Sequence, residues 1–299
     1  METNYLTDIM LPLSLAIIML GMGLSLVPFD FKRVLIYPKA TAIGIVNQLI
    51  VLPIVGFLLL MIFPLRSPEL VVGIMILAAC PGGPTSNLIS HISKGDTALS
   101  ITLTAISSLI AVISIPLIVN FALGYFMQKG EYIPLPVFKT IIALMIITLV
   151  PVAIGMFIRA RATAFAKRMD KPVKIISGIL LFLIIFAAIN SNKEIFVDSF
   201  KDVGPIALTL NVVMLAIGYF SASWLKLKRA QSITISIESG IQNGTLGITI
   251  ASVLLHNNVM AISPAIYSLI MFMTAGVIIA WANLFVKDEA LLNKLDSTA

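Results

Sequence analysis

Nine long apolar stretches dominate this chain, and each is long enough to cross a bilayer. A helix needs about 20 mainly apolar residues to span the hydrocarbon core. Apolar residues make up 59% of the 299 residues and charged residues only 11%, whereas soluble domains carry about 25% charged residues. The sequence therefore predicts an all-α integral membrane protein with nine transmembrane helices. The predicted spans are residues 8–27, 38–63, 70–90, 97–126, 136–158, 172–190, 203–225, 230–256 and 262–286.

The basic residues predict how these spans are oriented. Cytoplasmic loops carry an excess of Lys and Arg. Stepping through nine spans from a cytoplasmic Lys32 loop places fifteen of the 20 basic residues inside and five outside. This predicts a multi-pass protein of the cell inner (plasma) membrane, with the N-terminus outside and the C-terminus in the cytoplasm. The net charge of +6 is then explained by membrane orientation and by contact with anionic lipids. Nucleic acid is not a predicted partner.

Glu238 is the sole charged residue between Ala230 and Val286. A carboxylate at bilayer depth costs roughly 2.5–3.5 kcal/mol even on the most lenient insertion scale. The mid-span positions supply no Lys or Arg to pair with it. The missing partner is therefore predicted to come from outside the protein, as a cation or a proton.

Two polar, glycine-containing segments interrupt apolar stretches at matching positions. The third stretch contains Cys80-Pro-Gly-Gly-Pro-Thr-Ser-Asn87, and the eighth contains Glu238-Ser-Gly-Ile-Gln-Asn-Gly244. By the predicted orientation, the third stretch runs inward and the eighth runs outward. Paired broken helices of opposite direction, meeting near the bilayer midplane, are typical of secondary transporters built from inverted repeats.

Matching the third stretch to the eighth divides the chain into two unequal repeats. The first repeat, residues 1–128, has four helices, and the second, residues 129–299, has five. The fifth stretch has no partner, so the first repeat is predicted to lack its opening helix.

Neutral oxygen groups cluster in the stretches near the two breaks. Ser100 and Thr104 are spaced i, i+4 and share one helix face, with Ser107 and Ser108 on a neighbouring face. Asn47 and Gln48 are amides in an otherwise apolar span. With Ser86, Asn87, Glu238 and Gln242, these groups offer several oxygens and one negative charge. Such a set suits a monovalent hard cation, because a divalent ion normally demands more carboxylates.

Other functions are compatible with parts of this pattern. On the same scaffold Glu238 could titrate, giving a proton-coupled carrier, and a membrane sensor or channel without transport is a further alternative.

An intramembrane enzyme is disfavoured because His91 and His256 lie at opposite membrane faces in the predicted topology. The sequence also contains none of the usual hydrolase or metalloprotease motifs. No catalytic residues are predicted.

At these residues the chain resembles the bile acid:sodium symporter family. The resemblance covers nearly the whole chain and is most specific at Cys80–Asn87, Lys94–Thr104 and Glu238–Asn243. It implies a core bundle carrying two crossed, broken helices, at about residues 38–126 and 203–286. It also implies a panel bundle at about residues 8–27 and 136–190. The nine spans match the shorter of the helix counts found in this family.

The resemblance also implies two sodium sites and a substrate site. The first ion is expected at Ser86, Asn87, Ser100, Thr104 and Glu238. The second is expected at Gln48, Glu238, Gln242 and the carbonyls of Ser239 and Ile241. Asn243, Thr85 and Asn87 are expected to face the substrate. The expected function is sodium-coupled symport of an organic anion, bile-acid-like or another small carboxylate, by alternating access. Because the chain departs from the family pattern at Gly83-Pro84-Thr85 and at Ser239, an anion other than a bile acid itself is favoured.

Overall fold

The computed structural model describes residues 9–127 and 134–296, with the side chains of Ser191 and of residues 285–296 left out. Within these ranges the chain is helical and forms no β-strand. The first seven helices are α1 (Leu11–Ser25), α2 (Pro28–Lys32), α3 (Pro38–Val46), α4 (Leu52–Ile62), α5 (Pro68–Ala79), α6 (Pro84–Ile92) and α7 (Thr97–Phe126). The next seven are α8 (Val137–Leu144), α9 (Val150–Arg161), α10 (Thr163–Ser191), α11 (Lys193–Trp224), α12 (Arg229–Gly240), α13 (Gly244–Thr249) and α14 (Ile262–Asp296).

Six continuous helices in the described ranges are long and apolar enough to cross a membrane. A seventh is added if Leu11–Ser25 and Pro28–Leu35, which meet at 78°, form one span. The predicted all-helical membrane protein is confirmed at this level. The third and eighth predicted spans are absent from the six because each consists of two short helices. Residues 1–8 and the predicted repeat boundary at 128/129 lie outside the described residues.

Two helices begin earlier than their apolar stretches predict. Helix α10 starts at Thr163 instead of residue 172, and α11 starts at Lys193 instead of residue 203. Both extensions are rich in charged residues. Hydropathy detects only the part of a helix that lies in hydrocarbon, and a polar turn stays helical in the interfacial region.

The first break separates α5 from α6. Pro81 and Pro84 lack the N–H groups that would continue the helix, and Cys80 has extended backbone angles (φ −74°, ψ 148°). Pro84 then occupies the first turn of α6, where a missing N–H costs nothing. The chain therefore stops one helix and starts another inside the membrane.

The second break separates α12 from α13, and other helices bind the carbonyls that it frees. The last carbonyls of a helix lack intrahelical partners. The Gly240 oxygen accepts hydrogen bonds from Asn211 Nδ2 of α11 and Tyr267 Oη of α14, both at 2.8 Å. Because unsatisfied backbone groups cannot face lipid, these contacts make the break tolerable at this depth.

The two breaks contact each other directly. The Asn243 backbone N–H donates to the Pro81 carbonyl at 2.9 Å, and Gly82 and Gln242 form an isolated antiparallel bridge. The broken helices thus cross at their non-helical residues and are joined there by backbone hydrogen bonds.

A wide helical turn places Gln48 in the protein interior. Residues Asn47–Val51 form a π-helical turn that leads into Pro53, whose ring and missing N–H disfavour regular α-helix at this point. Gln48 is fully buried there. A similar turn at Met145–Leu149 precedes Pro151.

The helices associate in two groups. Helices α1, α9 and α10 pack on one another, while α11 packs on α12 and α14, and α5 packs on α7 and α14. Helix α10 also touches α13 and α14, so the first group faces the crossing.

The crossing is too tight for a side chain at Gly82. An added Cβ would lie 2.7 Å from Glu238 Oε2 and 2.8 Å from Gln48 Nε2. We predict that Gly82→Ala lowers the stability of the purified protein by about 1–3 kcal/mol through overpacking, seen as a lower melting temperature in detergent.

Gly276→Ala provides the control for this substitution. Nothing lies within 4 Å of its added Cβ, and Ala is favoured over Gly in a helix by up to about 1 kcal/mol. An unchanged melting temperature for Gly82→Ala would contradict the tight crossing.

Candidate ion-binding site and adjoining cavity

Glu238 lies in α12 close to the break and is completely buried. Its Oε1 accepts hydrogen bonds from Ser86 Oγ of α6 at 2.6 Å and from Ser100 Oγ of α7 at 2.5 Å. Its Oε2 accepts from Thr104 Oγ1 at 2.9 Å and from Gln48 Nε2 at 3.4 Å. All four donors are uncharged, so the carboxylate meets dipoles from three other segments.

The three hydroxyls around Glu238 have too few protons for their contacts. Ser86 Oγ is within hydrogen-bond distance of two acceptors, the Gly83 carbonyl and Glu238. Ser100 Oγ also has two acceptors, and Thr104 Oγ1 has three. Since a hydroxyl carries one proton, most of these short oxygen–oxygen contacts cannot be hydrogen bonds at the same time. A cation among these oxygens would relieve that shortage.

Asn87 completes this cluster from the side. Its Oδ1 lies 2.8 Å from Ser100 Oγ and 3.2 Å from Thr104 Oγ1. The structure thus brings all five residues of the first predicted ion site together. Three other polar residues that the sequence groups with them lie outside the cluster. Asn47 donates to Ser221 of α11, while Ser107 and Ser108 donate to the Thr104 carbonyl.

Gln48 and Gln242 border the same carboxylate from the side of the break. Gln48 Nε2 donates to the Glu238 carbonyl at 2.7 Å, and Gln242 Nε2 donates to the Ser239 carbonyl at 2.7 Å. The Oε1 atoms of both glutamines are buried without a hydrogen-bond partner among the described residues. A buried amide oxygen is costly to leave unpaired, so these two atoms mark a second place that fits a cation.

Ile241, the remaining residue predicted for the second ion, lies between Ser239 and Gln242 in extended conformation. Its N–H donates to the Ile237 carbonyl. One carboxylate and several neutral oxygens match the charge of monovalent ions. No group of three His, Cys, Asp or Glu side chains occurs in the described parts of the chain.

A cavity of about 540 Å³ opens beside this cluster, between α1, α6, α10 and α14. Its wall is largely apolar, with Met22, Leu181 and Phe272 among its residues. Asn87 and Thr85 lie at its border with α6, and His91 and Lys174 also line it. Asn87 is therefore shared between the oxygen cluster and the cavity.

The cavity approaches the crossing from one side. A small void of about 30 Å³ at the crossing is lined by Thr85 and Asn243 and shares residues with the large cavity. On another side of Asn243, between α1, α7 and α9, only about 10 Å³ is open. The Asn243 Oδ1 accepts the Leu246 N–H and caps α13, so this side chain is fixed at the crossing.

Some site residues were not foreseen in the sequence. Lys174 lines the cavity from α10 and is ion-paired with Asp170 at 2.8 Å, yet in sequence it is one of many loop-proximal lysines. Asn211 and Tyr267, which bind the Gly240 carbonyl, are isolated polar residues in apolar stretches. That isolation was their only signal in the sequence.

Crossed broken helices around a buried, oxygen-rich carboxylate define a secondary transporter of the membrane, and comparison with known proteins gives its family. The profile of the sodium bile acid symporter family matches residues 12–199. The chain belongs to this family. The predictions of a transporter and not an enzyme, and of sodium use, are confirmed at the level of the family.

Relatives occur in bacteria, plants and animals. The chain is 31% identical over 242 residues to YocS of Bacillus subtilis, described as an uncharacterized sodium-dependent transporter, covering 80% of this chain and 72% of that protein. It is 29% identical over 286 residues to BASS2 of rice, a probable chloroplastic sodium/metabolite cotransporter, covering 95% of this chain and 65% of the relative. The human P3 protein is 30% identical over 211 residues, covering 71% and 44%.

Proposed function

We propose that the chain is a sodium-coupled symporter of an organic anion and that it works by alternating access. The observation that carries this proposal is the Glu238 cluster, where one buried carboxylate and three hydroxyls lack the protons to satisfy their own contacts. Sodium prefers oxygen ligands and supplies the missing positive charge. The names of the relatives, sodium-dependent transporter and sodium/metabolite cotransporter, support the same function.

The first sodium ion is assigned to Ser86, Asn87, Ser100, Thr104 and Glu238. An ion at this position would accept electron pairs from oxygens that now face one another. The ligands come from α6, α7 and α12, so the ion would stabilise the packing of both broken helices on α7.

The second sodium ion is assigned to Gln48, Glu238, Gln242 and the carbonyls of Ser239 and Ile241. Support comes from the two unpaired glutamine oxygens and from the carbonyls that the break leaves at the end of α12. Carbonyls at the C-terminal ends of half-helices suit cations. With Glu238 shared, two ions bring one net positive charge to the crossing.

The organic anion is assigned to the cavity beside Asn87, with Thr85 and Asn243 at its inner end. The apolar wall suits a hydrocarbon body, and the Lys174 ammonium favours a negative group. Because Asn87 contacts the hydroxyls of the first ion site and borders the cavity, sodium would fix its amide for the substrate. Each ligand then increases the affinity for the other.

The architecture proposed for this activity is nine spans in an inverted repeat, residues 1–128 and 129–299. The antiparallel contact between the breaks supports the inversion. The association of α1, α9 and α10 supports a panel bundle, and that of α5, α7, α11, α12 and α14 supports a core bundle. Rocking of one bundle on the other would open the site alternately. We propose that the protein lies in the inner membrane, with its N-terminus outside the cell and its C-terminus in the cytoplasm.

A proton-coupled carrier is the second candidate, because a proton on Glu238 would also supply a missing donor to the cluster. Proteoliposomes separate the two functions. Uptake driven by a sodium gradient at equal pH on both sides supports the symporter. Uptake driven by a pH gradient in sodium-free buffer supports the carrier and contradicts the proposal.

Replacement of Glu238 by Gln tests the central charge. Removing one partner of a buried charge pair costs roughly 3 kcal/mol, so we expect sodium to bind about a hundredfold more weakly. The measurement is the rise in melting temperature with NaCl against choline chloride, since ligand binding stabilises by mass action.

Ser107→Ala, next to the cluster but outside it, serves as the control and should keep the sodium effect. If Glu238→Gln retains full sodium-dependent stabilisation or sodium-driven uptake, Glu238 does not hold the ion.

Gln242→Ala tests the second ion separately. It removes one unpaired oxygen but leaves the hydroxyls around Glu238 in place. We expect the number of sodium ions bound, measured by calorimetric titration, to fall from two to one. Thr249→Val, at a buried hydroxyl that bonds only within its own helix segment, should keep both. A stoichiometry of one in the unmodified protein would remove the second site.

Lys174→Gln tests the charge of the substrate. An exposed ionic interaction is worth up to about 1 kcal/mol. We therefore expect the apparent affinity for amphipathic carboxylates and sulfonates, measured by uptake, to fall about threefold. The difference should shrink in high salt because screening weakens exposed charges. Lys171→Gln removes a neighbouring charge of the same helix outside the cavity and should have no effect. Equal losses in both variants would contradict a local role of Lys174.

A further inference from the structure

We propose that a buried seam of oxygens, formed by Ser90, Ser93 and Thr234, is a transit subsite for sodium. It would connect the Glu238 cluster with the membrane face at which Lys94 lies, the predicted cytoplasmic side. This inference rests on the proposed function. It concerns the route by which the cation leaves its site, a property that the position of the site does not determine.

The seam follows from the antiparallel packing of α6 and α12. Ser86 of α6 meets Glu238 of α12 at 2.6 Å. One turn further along α6 is Ser90, and one turn earlier in α12 is Thr234. Because both helices rise about 1.5 Å per residue, these residues continue the contact by about 6 Å toward the same membrane face.

Two hydroxyls of the seam are buried and unpaired. Ser90 and Ser93 have no solvent exposure, and neither Oγ atom has a hydrogen-bond partner among the described residues. Most hydroxyls in membrane helices bond to a carbonyl one turn earlier, as Thr104, Ser239 and Ser268 do here. Two neighbouring unpaired hydroxyls, one in α6 and one directly after its last residue, therefore mark a polar path.

Gly95 brings further oxygens to this path. Its N–H donates to the Ser90 carbonyl at 2.9 Å, and Thr234 Oγ1 donates to the Asp96 carbonyl at 3.2 Å. A Cβ on Gly95 would lie 2.6 Å from Thr234 Oγ1 and 3.1 Å from the Ser90 carbonyl oxygen. Glycine thus permits the turn between α6 and α7 to lie directly on these groups.

The seam ends near an acidic side chain. Asp96 is half-buried, and its Oδ1 accepts the Leu99 N–H at the start of α7. Its carboxylate attracts cations to this end, as Glu238 does at the other. From Ser86 to Ser93 the path is about 10 Å long, which is roughly two thirds of the half-thickness of the hydrocarbon core.

The large cavity is the alternative route, since it borders Asn87. It is, however, lined mainly by apolar residues, which offer a cation few oxygen ligands. The seam offers hydroxyl and carbonyl oxygens instead, and its members Ser90, Ser93 and Thr234 are uncharged. The cation and the anion would accordingly leave by different routes on opposite sides of α6.

The experiment uses the full chain reconstituted in liposomes, with Ser93→Cys introduced into a Cys80→Ala background. The probes are a cationic and an anionic methanethiosulfonate of equal size, applied at the face of Lys94. We expect the cationic reagent to react about tenfold faster, because oxygen dipoles along the path and the Asp96 carboxylate at its end favour cations. Sodium chloride, but not choline chloride, should slow that reaction. Ser114→Cys in the same background, at an unpaired hydroxyl of α7 away from the seam, should show neither effect.

A second measurement does not depend on a cysteine. Ser90→Ala and the nearly isosteric Thr234→Val each remove one oxygen from the path. We expect sodium exchange, followed by sodium NMR relaxation, to slow by about tenfold. The sodium concentration that half-stabilises the protein should stay unchanged.

Equal reaction rates for both reagents, or exchange at the unmodified rate in both oxygen-deleted variants, would overturn the seam. A loss of sodium affinity in these variants would make the residues ligands of the main site, which also overturns a transit role. Failure of sodium to stabilise the unmodified protein would instead refute the proposed function itself. The two failures are therefore distinguishable.

Discussion

The buried carboxylate of Glu238 is the interaction on which this structure depends. Burying an isolated charge is unfavourable. Hydroxyls from α6 and α7 and an amide from the turn before α4 therefore donate hydrogen bonds to this carboxylate. To reach these donors, α12 must lie against all three segments. The break of α6 from α5 is what brings Ser86 to the carboxylate. The two breaks and the wide turn at Asn47–Val51 thus all bring polar groups to one buried carboxylate.

The same arrangement links the Glu238 cluster to the adjoining cavity. The crossing is held by backbone contacts between Pro81, Gly82, Gln242 and Asn243, so the broken helices form one unit. Asn87 projects from this unit to the cavity while its oxygen remains among the ion-site hydroxyls. A change in the charge at Glu238 therefore alters the hydrogen bonding of a residue that borders the cavity. Coupling through one amide needs no large internal motion of the crossing.

Much of the site could be predicted from the sequence because its signals are local. The isolation of Glu238, the i, i+4 spacing of Ser100 and Thr104, and the proline-glycine segment at residues 81–84 are all visible in short windows. The contacts between these segments are not. Nothing in the sequence shows that Asn47 bonds to Ser221 while its neighbour Gln48 bonds to Glu238. The two side chains point in different directions because both lie in the π-helical turn. Likewise, hydropathy cannot separate a continuous span from two short helices, so nine apolar stretches correspond to six continuous apolar helices in the described residues.

The polarity of α12 has a consequence for how the chain enters the membrane. Within twelve residues this helix carries Arg229, Gln231, Glu238 and several hydroxyl residues, and it is not among the helices apolar enough to span alone. The translocon releases a segment to lipid only when partitioning is favourable. Transfer of this segment into the membrane becomes favourable when α6, α7 and α11 are present to bind its polar groups. Insertion of α12 therefore depends on helices that precede it in the chain, which supply polar surroundings for its side chains.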